Sequence, residues 1–222
     1  MKKSVYSLVL SDSVVEAVDR AAYMSGQSRS NFINSVLAEH LSFVTPEKRM
    51  RNIFDVLEAI TEAEENFRIQ KQQSDSMFSL LSSLKYKYRP TIRYSIELYP
   101  AHINGSIGEF KVIYRTQSVD FARIMKNFFI MWAKNEQKFI GKVFIKSPIK
   151  YSAADGKLVR TIKIPTGKGI SENDLAKAIS DYIGMFDRVL KEYISSLPDV
   201  EYAQRYLDRE YSDYVKNSIT LI

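Results

Sequence analysis

The stretch Val5-Tyr6-Ser7-Leu8-Val9-Leu10, followed at once by Ser11-Asp12-Ser13, decides how the chain begins to fold. Tyr6, Leu8 and Leu10 alternate with Val5, Ser7 and Val9, the period of two that sends successive side chains to opposite faces of a strand. Ser11-Asp12-Ser13 supplies N-cap oxygens for a helix with Val14, Val18, Ala21 and Ala22 along one side. Gly26 stops that helix in the manner of a glycine just past its C-cap. Ser28 caps a second helix whose apolar face is Phe32, Ile33, Val36, Leu37 and Leu41, and Thr45-Pro46 closes the unit. A single strand ahead of two short helices leaves N–H and C=O groups unpaired on both edges. The economical partner is the same strand of a second copy, giving a two-stranded antiparallel ribbon on an intertwined four-helix base.

The run Leu10-Ser11-Asp12-Ser13-Val14-Val15-Glu16, with Gly26-Gln27-Ser28-Arg29-Ser30-Asn31-Phe32-Ile33, resembles the ribbon-helix-helix (Arc/MetJ/CopG-like) family of bacterial DNA-binding proteins. The likeness is to its plasmid copy-control branch and covers residues 3–43, about a fifth of the chain. It implies a ribbon in the major groove, with Lys3, Val5, Ser7 and Val9 facing DNA and Tyr6, Leu8 and Leu10 in the dimer core. It further implies that Ser28-Arg29-Ser30 grips a phosphate with the free amides of a helix N-terminus. The sequence departs from the family at the ribbon's outer face, where Val5 and Val9 can pack on a thymine methyl but cannot read a donor/acceptor pattern.

Charge is spread unevenly along the 222 residues. The net charge is +6 overall, but 0 over residues 1–45, +1 over 46–89, +9 over 90–170 and −4 over 171–222. Either the acidic tail neutralises the basic middle, or the middle faces an anionic partner such as nucleic acid. The chain has no cysteine, which excludes disulfides, thiolate metal sites and a cysteine nucleophile. Two histidines, His40 and His102, leave no histidine-built metal centre or Ser–His–Asp triad. Apolar runs are too short for a membrane span, and Asp12, Glu16 and Asp19 interrupt any signal peptide. The expected compartment is the cytoplasm, with association to the nucleoid when DNA is bound.

The expected fold class is α+β in three parts. Residues 1–45 form the ribbon-helix-helix unit for dimerisation and DNA binding. Residues 46–89 form a helical connector, as one long helix or two shorter ones, with Met50, Ile53, Leu57 and Ile60 and then Met77, Phe78, Leu80, Leu81 and Leu84 as its apolar positions. Residues 90–222 form an α+β domain with an antiparallel sheet in the order ββαββαα. Residues 91–99 alternate as a strand, Asn104-Gly105 turns it into a second strand, and Ser118 opens a largely apolar helix. A further strand pair is expected over 143–150 and 158–164, turning at Asp155-Gly156. Ser171 caps a long helix and Pro198 begins the last one.

Few residues suggest chemistry. Gly167-Lys168-Gly169 lacks the spacing of a phosphate loop and reads as a loop before the Ser171 helix. Glu97 with Glu109-Phe110-Lys111 resembles a metal-dependent nuclease motif, or else is an ordinary solvent-facing set. The sequence therefore predicts no catalytic residues, no metal and no cofactor, and the protein is not expected to be an enzyme. Lys138, Lys142 and Lys146, interleaved with aromatic residues, are candidates for accessory DNA contact.

The expected function is sequence-specific binding of double-stranded DNA by a homodimer acting as a transcriptional repressor or plasmid-maintenance regulator. Residues 90–222 would add higher oligomerisation, sensing of a small-molecule or protein effector, or further DNA contact. An antitoxin-like interaction protein whose ribbon mainly dimerises is the alternative, with a nuclease third.

Overall fold

The computed structural model describes residues 5–64, 66–70, 76–87, 89–154, 156–165 and 169–222. The chain divides into two compact units, Met1–Arg49 and Met50–Ile222. It is a mixed α and β protein with one antiparallel six-stranded sheet. No described helix is long and apolar enough to cross a membrane.

In the first unit, residues 5–10 make no strand ladder. The predicted ribbon needs a second strand, and residues 5–10 pair with none among the described residues. Helix α1 (Asp12–Met24) starts at Ser11, whose carbonyl accepts from the amides of Val14 and Val15. It ends in a Schellman motif: Gly26 takes φ +65°, its amide donates to Tyr23, and the Gln27 amide donates to Ala22. Helix α2 (Arg29–His40) is capped by Ser28 and ends the same way, with Ser42 at φ +52° and the Phe43 amide donating to Ala38. Ala22 and Ala38 are the buried apolar residues of this unit.

The second unit opens with the rest of helix α3 (Pro46–Glu62), which buries Met50, Ile53, Phe54 and Leu57. Strands β1 (Arg68–Gln70) and β2 (Met77–Ser83) follow. This corrects the expected helical connector. The apolar set at 77, 78, 80, 81 and 84 fits either period, and the deciding interaction lies outside the segment. Phe78, Leu80 and Ser82 pair with Ile96, Tyr94 and Ile92 of strand β3 (Thr91–Ile103), covering an edge that would otherwise be unpaired. Asn104 and Gly105, at φ +51° and +74°, form the two-residue turn into β4 (Ser106–Tyr114), as type I′ geometry requires.

Ser118 caps helix α4 (Val119–Ile140), which buries Phe121, Met125, Phe128, Phe129 and Trp132. Residues 143–150 are not the expected strand. Val143 and Ser147 donate amide bonds back to Ile140 and Phe144 in consecutive turns, Phe144 alone being buried, and Pro148 has no N–H to give a ladder. The strand is the later, shorter β5 (Tyr151–Ala154), which pairs with β6 (Lys157–Lys163). Gly156 takes φ +74° in that turn, while Asp155 lies outside the described residues. Ser171 caps α5 (Glu172–Ser196) and Asp199 caps α6 (Val200–Asn217).

The strands run in the order β1-β2-β3-β4-β6-β5, every pair antiparallel. The helices of this unit pack on one face. Phe54 stacks on Phe78, Tyr114 meets Phe129, and Phe186 of α5 lies against Tyr94, Phe110, Phe128 and Trp132, the last at 4.5 Å between ring centres. On the other face Leu81, Ile113 and Val159 are partly exposed and lie outside the core cluster, so a two-layer unit leaves this sheet surface open.

Candidate nucleic-acid interface

The first unit leaves many of its large apolar side chains exposed. Exposure alternates along residues 5–10: Val5 and Val9 stand at 99% and 102%, whereas Tyr6, Leu8 and Leu10 fall from 86% through 61% to 40%. The side predicted for the dimer core is less exposed than Val5 and Val9. Val14, Val15, Val36, Leu37, Leu41 and Phe43 are exposed as well, although Val36, Leu37 and Leu41 were expected on the apolar face of α2.

The predicted DNA-contacting residues sit as follows. Lys3 lies outside the described residues. Val5 and Val9 are fully open to solvent, and Ser7 is exposed. The Ser28 hydroxyl accepts the Asn31 amide at 3.3 Å, which leaves the earlier amides of Arg29 and Ser30 directed out of the helix. Arg29 is already engaged: its guanidinium donates through Nη2 to the Asp19 carboxylate of α1, with Nε in ion-pair contact with the same group. That pair braces the turn between the helices and offsets the charge the turn offers a phosphate. Ser30 is exposed.

Of the three accessory lysines, Lys138 donates to Asp208 of α6 at 2.8 Å, while Lys142 and Lys146 are exposed on the turns after α4. Gly167 and Lys168 lie outside the described residues. His40 and His102 are exposed.

The structure does bring the nuclease-like residues together. Glu97 and Glu109 face each other across β3 and β4, and Lys111 Nζ bonds both carboxylates, Glu109 at 3.2 Å. Burial works to lower the lysine's pKa, but these hydrogen bonds outweigh it and raise it. Burial and a hydrogen bond to Glu109 also push the Tyr99 hydroxyl up to about 12. The lysine thus occupies the position a cation would take between the carboxylates, and no cluster of three or more metal-ligating side chains exists among the described residues.

Sequence reasoning missed a buried polar hub. Glu136 of α4 is fully buried and accepts from Arg160 Nε and Nη2 at 3.0 and 3.1 Å. It also accepts from the hydroxyls of Tyr182 (2.9 Å), Tyr211 (2.7 Å) and Tyr151. Trp132 Nε1 donates to Tyr182, and Arg160 Nη2 donates to the Ile222 carbonyl. Every lone pair the carboxylate offers is occupied, so the hub joins α4 to four other elements and has no open coordination for a substrate. No sequence signal marks it, because Glu136 follows the helix like any surface glutamate.

No family model, curated protein or solved structure matches the chain.

Proposed function

We propose that the protein is a homodimeric DNA-binding regulator in which residues 5–10 of two copies pair as a ribbon and enter the major groove of duplex DNA. The observation that carries this is the first unit's apolar surface. An unladdered segment with a graded exposed face adjoins two well-ended helices whose own apolar residues are also uncovered. A second copy would satisfy the strand edges and that surface together. The exposed Arg29 and Ser30 amides at the start of α2 suit a backbone phosphate, which positions without specifying sequence.

The antitoxin-like reading keeps one observation in its favour. The outward ribbon positions are Val5, Ser7 and Val9, and Arg29 is neutralised by Asp19, so this unit offers DNA little charge. Sequencing of genomic fragments captured by the purified protein, with sedimentation of the same sample, separates the two. The regulator reading expects a dimer and a shared motif among the fragments. A dimer with unselective fragments favours the interaction module, and a folded monomer sinks both.

A further inference from the structure

The ladder register aligns Arg68, Leu81, Arg93, Ile113 and Lys157 in one row across the open face of the sheet. Cations occupy alternate strands of that row, so neighbouring charges are about 10 Å apart, twice the strand spacing. Arg115, two residues beyond Ile113, lies diagonal to Arg93 on the same face. None of Arg68, Arg93, Arg115 and Lys157 makes an ion pair among the described residues.

The row borders two clefts of about 960 and 400 Å³ that have Leu81 and Thr91 in common among their lining residues. Arg68, Lys85, Phe67 and Tyr206 line the larger, and Arg93 and Arg115 the smaller. Arg188 and Lys191 also reach the larger cleft, but they hold Glu210 and Asp187. Glu192 is the single carboxylate on either wall among the described residues, and the Tyr202 hydroxyl bonds it. The half-buried ring of Tyr206 stacks on Tyr202 at 6.5 Å and carries the Arg209 guanidinium at 5.0 Å. A line of cations that lack ion-pair partners among the described residues repels itself, and an anion running along it removes that repulsion.

We propose that these two clefts bind single-stranded nucleic acid, with backbone phosphates along Arg68, Arg93 and Arg115 and a base displacing the Arg209 guanidinium from the Tyr206 ring. A flexible strand carries a phosphate at every nucleotide and can turn its bases outward. Cations in a groove beside an aromatic ring match that chemistry. A duplex keeps its bases paired inside and cannot stack one on Tyr206. Every residue of the site belongs to the second unit, and each reading can fail alone.

The test is fluorescence anisotropy of the full chain with a labelled short oligothymidylate and with a duplex of equal length, over a salt series. Combining Arg93→Ala with Arg115→Ala should weaken oligothymidylate binding about tenfold or more. It should also flatten the log–log salt slope by about 0.7 for each phosphate no longer neutralised. Arg68→Ala with Lys85→Ala, on the other side of the cleft, should flatten the slope likewise. Tyr206→Leu should cost about tenfold in affinity with the slope unchanged, because stacking involves no charge. A salt slope on oligothymidylate indifferent to both double variants, or an equal loss on the duplex, would each overturn the proposal.

Discussion

Leu8 and Leu80 both sit in alternating apolar runs, Tyr6-Ser7-Leu8-Val9-Leu10 in one unit and Phe78-Ser79-Leu80-Leu81-Ser82 in the other. Leu80 is 2% exposed and Leu8 61%. Transfer of a leucine from water into a core is worth about 2 kcal/mol. The second unit collects that gain within the chain, since Leu80 pairs with Tyr94 in the sheet and lies in the core that the helices cover. The first unit has the same pattern beside well-formed helices, yet no described strand with which to close it. The difference teaches that periodicity specifies a face, while the chain's remaining elements decide whether that face is covered internally or offered to a partner.

The largest effect that could break this comparison is loss of association. Leu8→Asp should place an uncompensated charge in the proposed dimer core and convert the protein to monomer in analytical ultracentrifugation. The second unit should remain folded, as read by Trp132, the only tryptophan in the chain. A wild-type protein already monomeric and folded would end the contrast between the units.

Next in size is Glu136→Ala. Breaking a buried ion pair by removing one partner typically costs about 3–5 kcal/mol, because the other charge is stranded. Arg160 would be that charge, and urea unfolding followed by Trp132 fluorescence should register the loss without changing dimer formation. Combining Glu136→Leu with Arg160→Met should recover much of it.

Alkaline pH should act on the second unit by a smaller amount per step. Burial, foremost, raises the hydroxyl pKa values of Tyr94, Tyr182 and Tyr211 well above the ordinary 10.0. The nearby charges of Asp187 and Glu136 push the same way, and Arg160 opposes. These groups hold their protons more tightly folded than unfolded. Their contribution is therefore complete below pH 10 and is lost as pH rises from there toward the folded-state values. Each tyrosine should contribute about 1.4 kcal/mol of lost stability per pH unit in that window, checked by denaturant melts followed by circular dichroism.

The smallest effect sharpens the comparison at the first unit. Asp19→Asn should free the Arg29 guanidinium. Fold stability should change by less than about 1 kcal/mol, as for other exposed pairs. Duplex binding should gain salt dependence, by about 0.9 in log–log slope for each further phosphate neutralised per protomer. An unchanged slope would place Arg29 away from the backbone.

Much of the second unit was legible because its signals are local. Ser118, Ser171 and the Asn104-Gly105 pair act within three residues, and each element they mark is where the pattern puts it. β1 and β2 were not legible, since residues 77–84 satisfy both periods and only the distant edge of β3 selects the strand. Pro148 is a local signal against a strand at 143–150, but the alternation of Val143 and Ile145 masks it. The basic row was hidden for another reason. Arg68, Arg93 and Arg115 are more than twenty residues apart in sequence and become neighbours only through register. Glu136 was equally silent, its partners lying on four later elements.

That hub also sets which parts of the second unit can open separately. Glu136 on α4 ties down Tyr151 of β5, Arg160 of β6, Tyr182 of α5 and Tyr211 of α6 at one point. Detaching any of these elements alone would strand a buried polar group, so partial opening costs nearly as much as complete unfolding. An edge strand of four residues and a terminal-side helix would ordinarily exchange their amide hydrogens early. Here the amides of β5 and α6 should exchange in step with those of the central strands, as one cooperative body.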